Sequence, residues 1–371
     1  MSHQRRIAKA GRLVVKVGSS LIIGDGDGAR QAWLASLADD AVELRKAGKE
    51  VLLVSSGAVA LGRRKLGLKR SPRLDHKQAA AAAGQTLLMQ AWETAFARHD
   101  IPTAQLLLTF DDTERRRRWL NARATISVLL GQGAVPIINE NDSVATDELR
   151  YGDNDRLSAR VAMMMKAELL ILLSDVDGLH TADPAKHPGA EHIAIVEDQD
   201  SAEAMAGPAS GVGSGGMRSK LAAARIASAA GCATLIASGR ENHPLAALQA
   251  GARATLVEGH GSPASAYKQW ISGTLQPAGN VTVDAGAAMA LAGGKSLLPA
   301  GVTAVAGEFE RGVCLSVRGP NGAELARGIS AYNSSETRAI AGQPSGRIEA
   351  LLGYTGPDAL IHRDDLVMLT R

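Results

Sequence analysis

A chain of 371 residues is long enough for two domains, each able to bury its own core. Its 41 basic and 38 acidic residues leave a net charge of +3, so the pI of 8.9 reflects a small imbalance and no overall basic field that would call for nucleic acid. Three Phe, four Trp and four Tyr offer few platforms for stacking bases, Cys232 and Cys314 suit neither a disulfide framework nor a metal site, and no apolar run nears the ~18 residues of a membrane helix, so a cytoplasmic protein with reduced thiols, no protein-held metal and no membrane partner is expected.

In chain order, residues 12–17 form the first aliphatic run and a helix begins near Ala29. There Trp33, Leu37, Ala41 and Leu44 recur at helical spacing as one apolar stripe, with Gly48 placed to stop the helix. Residues 50–55 read as a second strand, and the alternation of strand and helix returns through the runs 103–108, 134–138, 168–173 and 233–237. Alanines 79–83 read as helix core. Arg115 to Arg118 follow Asp111, Asp112 and Glu114 at four-residue spacing, which predicts a solvated helix face with paired charges. The alternation stops near Gly259, and after Pro277 short extended segments broken by glycines take over. Asn321-Gly322, between the apolar runs 313–317 and 323–329, predicts a tight hairpin. The predicted architecture is α/β: a mostly parallel sheet covered by helices on both faces over residues 8–262, a linker over 263–278 and a small β-barrel over 279–371.

Ligands of parallel sheets bind at strand C-termini, and the polar loops fall there. Lys16-Val17-Gly18-Ser19-Ser20 offers a close backbone approach and a mobile positive charge, although alone it reads more simply as a strand-end lysine reaching solvent. Residues 211–220, rich in glycine and closing on Arg218-Ser219-Lys220, open a helix and so combine unpaired N–H groups with a helix dipole, a phosphate site. Asn139-Glu140-Asn141-Asp142 and Asp153-Asn154-Asp155 exceed what helix capping needs, which points to binding an amino group or ordering lysines. Ser55-Ser56 and Ser174-Asp175 add polar tips to two more strands.

Three matches are set aside. Gly293-Gly294-Lys295-Ser296 lacks the first glycine of a phosphate loop, since Met289 stands there. Gly211, Gly213 and Gly216 match a dinucleotide fingerprint, but no convincing strand precedes them and no acidic residue follows between Lys220 and Arg240. His362-Arg363-Asp364 imitates a protein-kinase catalytic loop, with Leu369 where the metal-binding asparagine should be.

Taken in order, VVKVGSS, VSSGAVALG, INENDSVAT, YGDNDRLSA, LLSDVDGLHTADP and GSGGMRSK resemble the motif series of the amino-acid kinase superfamily, and the INEND and GDND pair is similar to its glutamate 5-kinase family. The tail, with SLLPAGV, the turn region 307–312 and the hairpin, is similar to a PUA domain. The resemblance implies transfer of phosphate from ATP, accompanied by Mg²⁺, to the side chain of L-glutamate, giving L-glutamyl 5-phosphate on the way to proline. It also implies proline as an inhibitor, a homo-oligomer (dimer or tetramer), and RNA as a partner the tail can accept without catalysis needing it. By motif match Lys16 and Lys220 would flank the phosphoryl group and Asp155 would hold both lysines. Ser56, Asp142 and Asn154 would bind glutamate. Lys16, Ser174, Asp175, Ser214, Gly215, Gly216, Met217, Arg218, Ser219 and Lys220 would bind ATP. Ser55 and Ser174 stand where threonine is common, and Asp177 and His180 depart further from the pattern.

The chemistry supports those roles separately. A glutamate side chain with pKa near ~4.3 is already ionised at neutral pH and needs no general base; what it needs is neutralised charge as two anions meet. Aspartate kinase and uridylate kinase are the rival readings within the superfamily, and an RNA-binding module on a kinase scaffold is the rival outside it. The INEND segment and the tail oppose the first two; steeply salt-dependent RNA binding without glutamate-dependent ADP release would mark the third.

Overall fold

The computed structural model describes residues 2–24, 28–70, 73–144, 154–184, 186–197, 199, 202, 216–269, 271 and 276–369. The chain divides into two compact units, residues 1–263 and 264–371.

The N-terminal unit is built on β1 (Arg12–Val17), β2 (Glu50–Ser55), β3 (Thr103–Leu108), β4 (Val135–Glu140), β5 (Leu169–Ser174), the two-residue strands β6 (Leu179–His180), β7 (His192–Ile193) and β8 (Ile195–Val196), β9 (Ala233–Ser238) and β10 (Ala254–Val257). Eight of these form one sheet in the order β3-β4-β2-β1-β5-β9-β10-β8. Every pair in it is parallel except β9 with β10. Because β1 has β2 on one side and β5 on the other, the chain reverses its direction of travel across the sheet there. Such a point leaves a crevice at the strand C-termini.

Strand positions alternate between faces. Leu13, Val15 and Val17 of β1 pack in one core with Trp33, Leu34, Leu37 and Ala41 of helix Gln31–Lys46 and with Leu88 and Trp92 of helix Leu74–Ala97. Each of the larger of these side chains contributes on the order of 1.5–3 kcal/mol by leaving water. The expected stripe of the first helix is thus its buried face, and Gly48, at φ +80, ends it. Val14 and Lys16 therefore point to the opposite face, where helices Asn154–Met164 and Met217–Ala229 lie. A lysine inside an aliphatic strand is placed under a helix by this alternation.

The predicted strands 134–138, 168–173 and 233–237 stop short of the observed ends. Asn139, Glu140, Ser174 and Ser238 continue the ladder, pairing Leu107↔Asn139, Leu108↔Glu140 and Ser174↔Ser238. Backbone hydrogen bonding does not require apolar side chains, so a hydrophobic pattern ends before the strand does. Likewise Asn154 and Asp155 belong to the first turn of helix Asn154–Met164 itself. The acidic and basic run also rearranges. Helix Phe110–Glu114 ends at Arg115, whose ψ of 115 is extended, and a new helix starts at Arg116. Arg115 still meets Asp111 (2.7 Å), but Arg118 reaches Asp111 and Asp112, and Glu114 turns to Arg160 (3.1 Å).

The C-terminal unit holds a five-stranded sheet, with β11 (Gly279–Val283), β12 (Val302–Ala306), β13 (Cys314–Arg318), β14 (Glu324–Ile329) and β15 (Leu366–Met368) in the order β12-β11-β13-β14-β15. All its pairs are antiparallel except β11 with β13. The predicted hairpin joins β13 and β14, with Gly322 at φ +79. Within the stretch 263–278, helix Pro263–Gln269 carries a buried Tyr267 whose hydroxyl donates to Asp365 (3.0 Å). The Gly293-Gly294 match is the end of helix Ala285–Ala292, and both cysteines are buried free thiols.

Helices Ala58–Leu66 and Leu74–Ala97 cross with their backbones in contact. A Cβ at Gly62 would stand 1.7 Å from the Ala80 carbonyl oxygen, and one at Gly84 would stand 1.8 Å from that of Ala58. Backbone cannot yield as a side chain would, so Gly84→Ala should destabilise the protein by about 2 kcal/mol or more. Urea unfolding of the variant checks this; an unchanged midpoint would show that the crossing relaxes freely.

Candidate active site

Lys16 and Val17 end β1, in register with Val54 and Ser55 of β2 and with Leu172 and Leu173 of β5. The tips of the three strands are therefore level, and Gly18 continues the junction by donating its N–H to the Leu173 carbonyl (3.2 Å). Lys16 Nζ lies 2.7 Å from Asp155 Oδ1. Lys220, in the first turns of helix Met217–Ala229, places its Nζ 3.2 Å from Asp155 Oδ2, and the Ser219 hydroxyl donates to the same oxygen (2.8 Å). The side chains are 9%, 1% and 5% exposed for Lys16, Asp155 and Lys220, so water does little to screen the trio. Burial pushes the Asp155 carboxyl up, but Lys16, Lys220 and the Ser219 hydroxyl outweigh it and bring it down to about 2. Asp155 is ionised at any physiological pH. Its chemistry is to fix two ammonium groups, not to move a proton.

Asn154, the neighbouring residue, faces a second network. Its Nδ2 donates to Ser56 Oγ (3.0 Å) and to Asn139 Oδ1 (3.1 Å), while Asn139 Nδ2 donates to Gln85 Oε1 (2.8 Å) and the Glu140 N–H donates to Asn139 Oδ1 (2.9 Å). Asn154 is 3% exposed, and its Oδ1 has no hydrogen-bond partner among the described residues. An acceptor left open in a buried site suits the N–H of a ligand. Asp142 is also buried, and burial raises its carboxyl to about 6. It lies on the wall of a cleft of about 640 Å³ together with Gln85, Glu140 and Asn141. An ammonium ion beside Asp142 would restore its charge.

Ser174 is buried at the tip of β5 and donates to the exposed Asp175 (3.0 Å). Among the described residues these two bond to each other and not to the lysine pair. Gly216 caps the helix that carries Met217, Arg218, Ser219 and Lys220. Ser214 and Gly215, with the rest of residues 203–215, lie outside the described residues, as does Asp153. The structure therefore brings together Lys16, Asp155, Ser219 and Lys220, and joins Ser56 to Asn154. Asn139 and Gln85 join the site beyond the residues to which the motif match gives roles. Asn139 was visible in its polar cluster; Gln85, in the middle of an alanine-rich helix, carried no signal. The Ser55 hydroxyl accepts from Trp92 Nε1 (2.9 Å) on the other face, so it serves the core. Asp177 and His180 bond to each other (2.9 Å).

The amino acid kinase family matches residues 11–238 and the PUA domain matches residues 279–352. The glutamate 5-kinase of Caulobacter vibrioides is 60% identical over 367 residues, covering 97% of each chain. That of Paramagnetospirillum magneticum is 55% identical over 365 residues, covering 98% of this chain and 99% of its own. Among solved structures, a carbamate kinase from Giardia lamblia is 14% identical with a TM-score of 0.49, covering 68% of this chain and 100% of its own.

The acid limb of stability tests the trio. Asp155 has a lower pKa folded than unfolded, so its contribution is full above about pH 5, where the unfolded carboxyl is ionised, and is lost as pH falls through about 2. The unfolding free energy of Asp155→Asn should lie below that of the parent by a constant amount above about pH 5, and the gap should shrink between about pH 4 and 2. Urea titrations across that range measure it; a gap independent of pH would mean that the carboxylate's charge is not what stabilises the fold.

Proposed function

The chain belongs to the amino acid kinase family, and on that premise we propose that it transfers the γ-phosphoryl group of ATP to the side-chain carboxylate of L-glutamate, giving L-glutamyl 5-phosphate and ADP, the first step towards proline. The observation that carries the reading is the pair of buried lysines held on one carboxylate at the strand tips. In an in-line displacement a γ-carboxylate oxygen forms the new bond to phosphorus, while the bond from phosphorus to the bridging oxygen of ADP breaks. The carboxylate is already ionised, so no proton has to be removed. The barrier is the approach of two anions. Two ammonium groups fixed beforehand by Asp155 neutralise the phosphoryl oxygens without reorganising during transfer.

In this reading Ser56, Asn154 and Asp142 hold glutamate, with the open Asn154 Oδ1 accepting from its ammonium group and Asp142 supplying the counter-charge. Ser174, Asp175 and the segment 214–220 hold ATP, the helix N-terminus at Gly216–Met217 adding its dipole. Mg²⁺ would be an ion carried by the phosphates; the lysines occupy both Asp155 oxygens, and the exposed Asp175 carboxylate at the tip of β5 would offer it a hard oxygen. When bound there it draws charge from the phosphoryl oxygens. Proline shares the α-carboxylate and ammonium of glutamate, so a site that grips those groups also supports proline as an inhibitor. Among the described residues no helix is long and apolar enough to cross a membrane.

An ADP-release assay offering glutamate, aspartate, N-acetylglutamate and UMP should respond to glutamate; a response only to another acceptor would sink the reading. Lys220→Ala should lower kcat by about a hundredfold or more, equivalent to about 3 kcal/mol, with a smaller change in glutamate binding. An unchanged kcat would remove Lys220 from the phosphoryl transfer.

The raised pKa of Asp142 gives a pH test of its own. Below about 6 the carboxyl is protonated and must lose its proton before pairing with an ammonium ion, so the KM for glutamate should climb as pH falls below about 6 and be flat above it. In Asp142→Asn the KM should be raised throughout and that bend should vanish. A bend that survives the substitution belongs to another group.

A further inference from the structure

We propose that Gln85 is a positioning residue for the acceptor amino acid, acting through Asn139 on the open acceptor oxygen of Asn154. The inference rests on the assignment of Asn154 to the glutamate site and extends it to a residue of helix Leu74–Ala97 that touches no reacting group.

Hydrogen-bond polarity fixes these roles. A side-chain amide has a donor end and an acceptor end, and a buried one is stable only when each meets its opposite. Asn139 is 1% exposed. Its Oδ1 accepts from the Glu140 N–H and from Asn154 Nδ2, so its Nδ2 must find an acceptor elsewhere, and Gln85 Oε1 at 2.8 Å is that acceptor. With Asn139 held this way, its oxygen receives the NH₂ of Asn154, which also donates to Ser56. Asn154 Oδ1 is then the atom left over, buried and unpartnered among the described residues. The Glu140 N–H sets Asn139 Oδ1 as the acceptor end, Gln85 Oε1 satisfies the Nδ2 end and so holds Asn139 in place, and the site is left presenting an Asn154 oxygen, suited to an ammonium group, and not an NH₂, which would repel one.

Two further features fit this role. Gln85 follows Gly84, whose contact with the Ala58 carbonyl sets the depth of the helix against helix Ala58–Leu66, and that helix begins two residues after Ser56. The crossing thus fixes Gln85 and Ser56 relative to each other. Gln85 also lines the cleft that Asp142 borders, so its side chain stands between solvent and the buried Asn139.

The test uses two variants of the full chain, Gln85→Leu and Gln85→Glu, with steady-state kinetics for both substrates and calorimetric titration of glutamate. Leucine fills the space and removes the acceptor; glutamate at position 85 keeps an acceptor oxygen in place. Work at about pH 8.5, well above the titration of Asp142, keeps that carboxyl and the added one each in a single protonation state. Gln85→Leu should raise the KM and Kd for glutamate about tenfold, the effect of about one unsatisfied buried amide, with kcat and the KM for ATP within about twofold of the parent. Gln85→Glu should restore the KM to within about twofold. The inference is overturned if Gln85→Leu leaves glutamate binding unchanged, if Gln85→Glu is as impaired as Gln85→Leu, or if kcat and both KM values move together, as a packing defect would cause. If the parent enzyme turns out to use a different amino acid acceptor, the glutamate reading fails, and the same ratios measured with that acceptor decide the role of Gln85.

Discussion

The buried carboxylate of Asp155 is the constraint around which the N-terminal unit is arranged. Removing an ionised group from water costs several kcal/mol unless opposite charge and hydrogen bonds meet it. Here Lys16, Lys220 and Ser219 do so, and they come from β1 and from a helix that follows much later in the chain. Each lysine is itself an expensive guest. Lys16 interrupts an otherwise aliphatic strand, and Lys220 sits on the buried side of a helix rich in alanine. Neither placement would be stable without the shared anion, so the ion pairs tie the strand, the helix over it and the helix Asn154–Met164 into one geometry.

How much of this was legible in the sequence follows from what each signal encodes. Aliphatic runs of strand length flanked by helical patterns revealed the parallel sheet, because strands buried on both faces need apolar side chains at every position. They did not reveal where the strands end, since Asn139, Glu140 and Ser174 belong to the ladder through their backbones alone. Lys16 was visible as an oddity whose simplest explanation was a solvated tip; its burial depends on Asp155, a contact between distant parts of the chain that no local pattern carries. Glu114 was assigned to the arginines beside it because a continuous helix would have put it there, and the break at Arg115 sent it to Arg160 instead. Gln85 was hidden for a different reason: a polar residue among alanines on a helix reads as a solvated face, and only the fold turns it towards Asn139.

The amide network and the lysine network are separate in composition but share one turn of helix. Successive residues of an α-helix point about 100° apart, so Asn154 and Asp155 at the start of helix Asn154–Met164 face two directions from one rigid anchor. Asn154 addresses Ser56 and Asn139, and Asp155 addresses the lysines. The distance between the group that would orient an acceptor and the charges that would receive a phosphoryl group is therefore set by a single peptide unit, not by the relative motion of two loops. Reactions between two bound partners gain most from such fixed placement, because the groups that orient them are already ordered in the fold and the partners' own entropy is lost on binding, before the chemical step. The same economy makes the turn intolerant: a substitution at either residue disturbs the other through the backbone they share, and the helix start can be displaced only by breaking the buried ion pairs that hold it against β1.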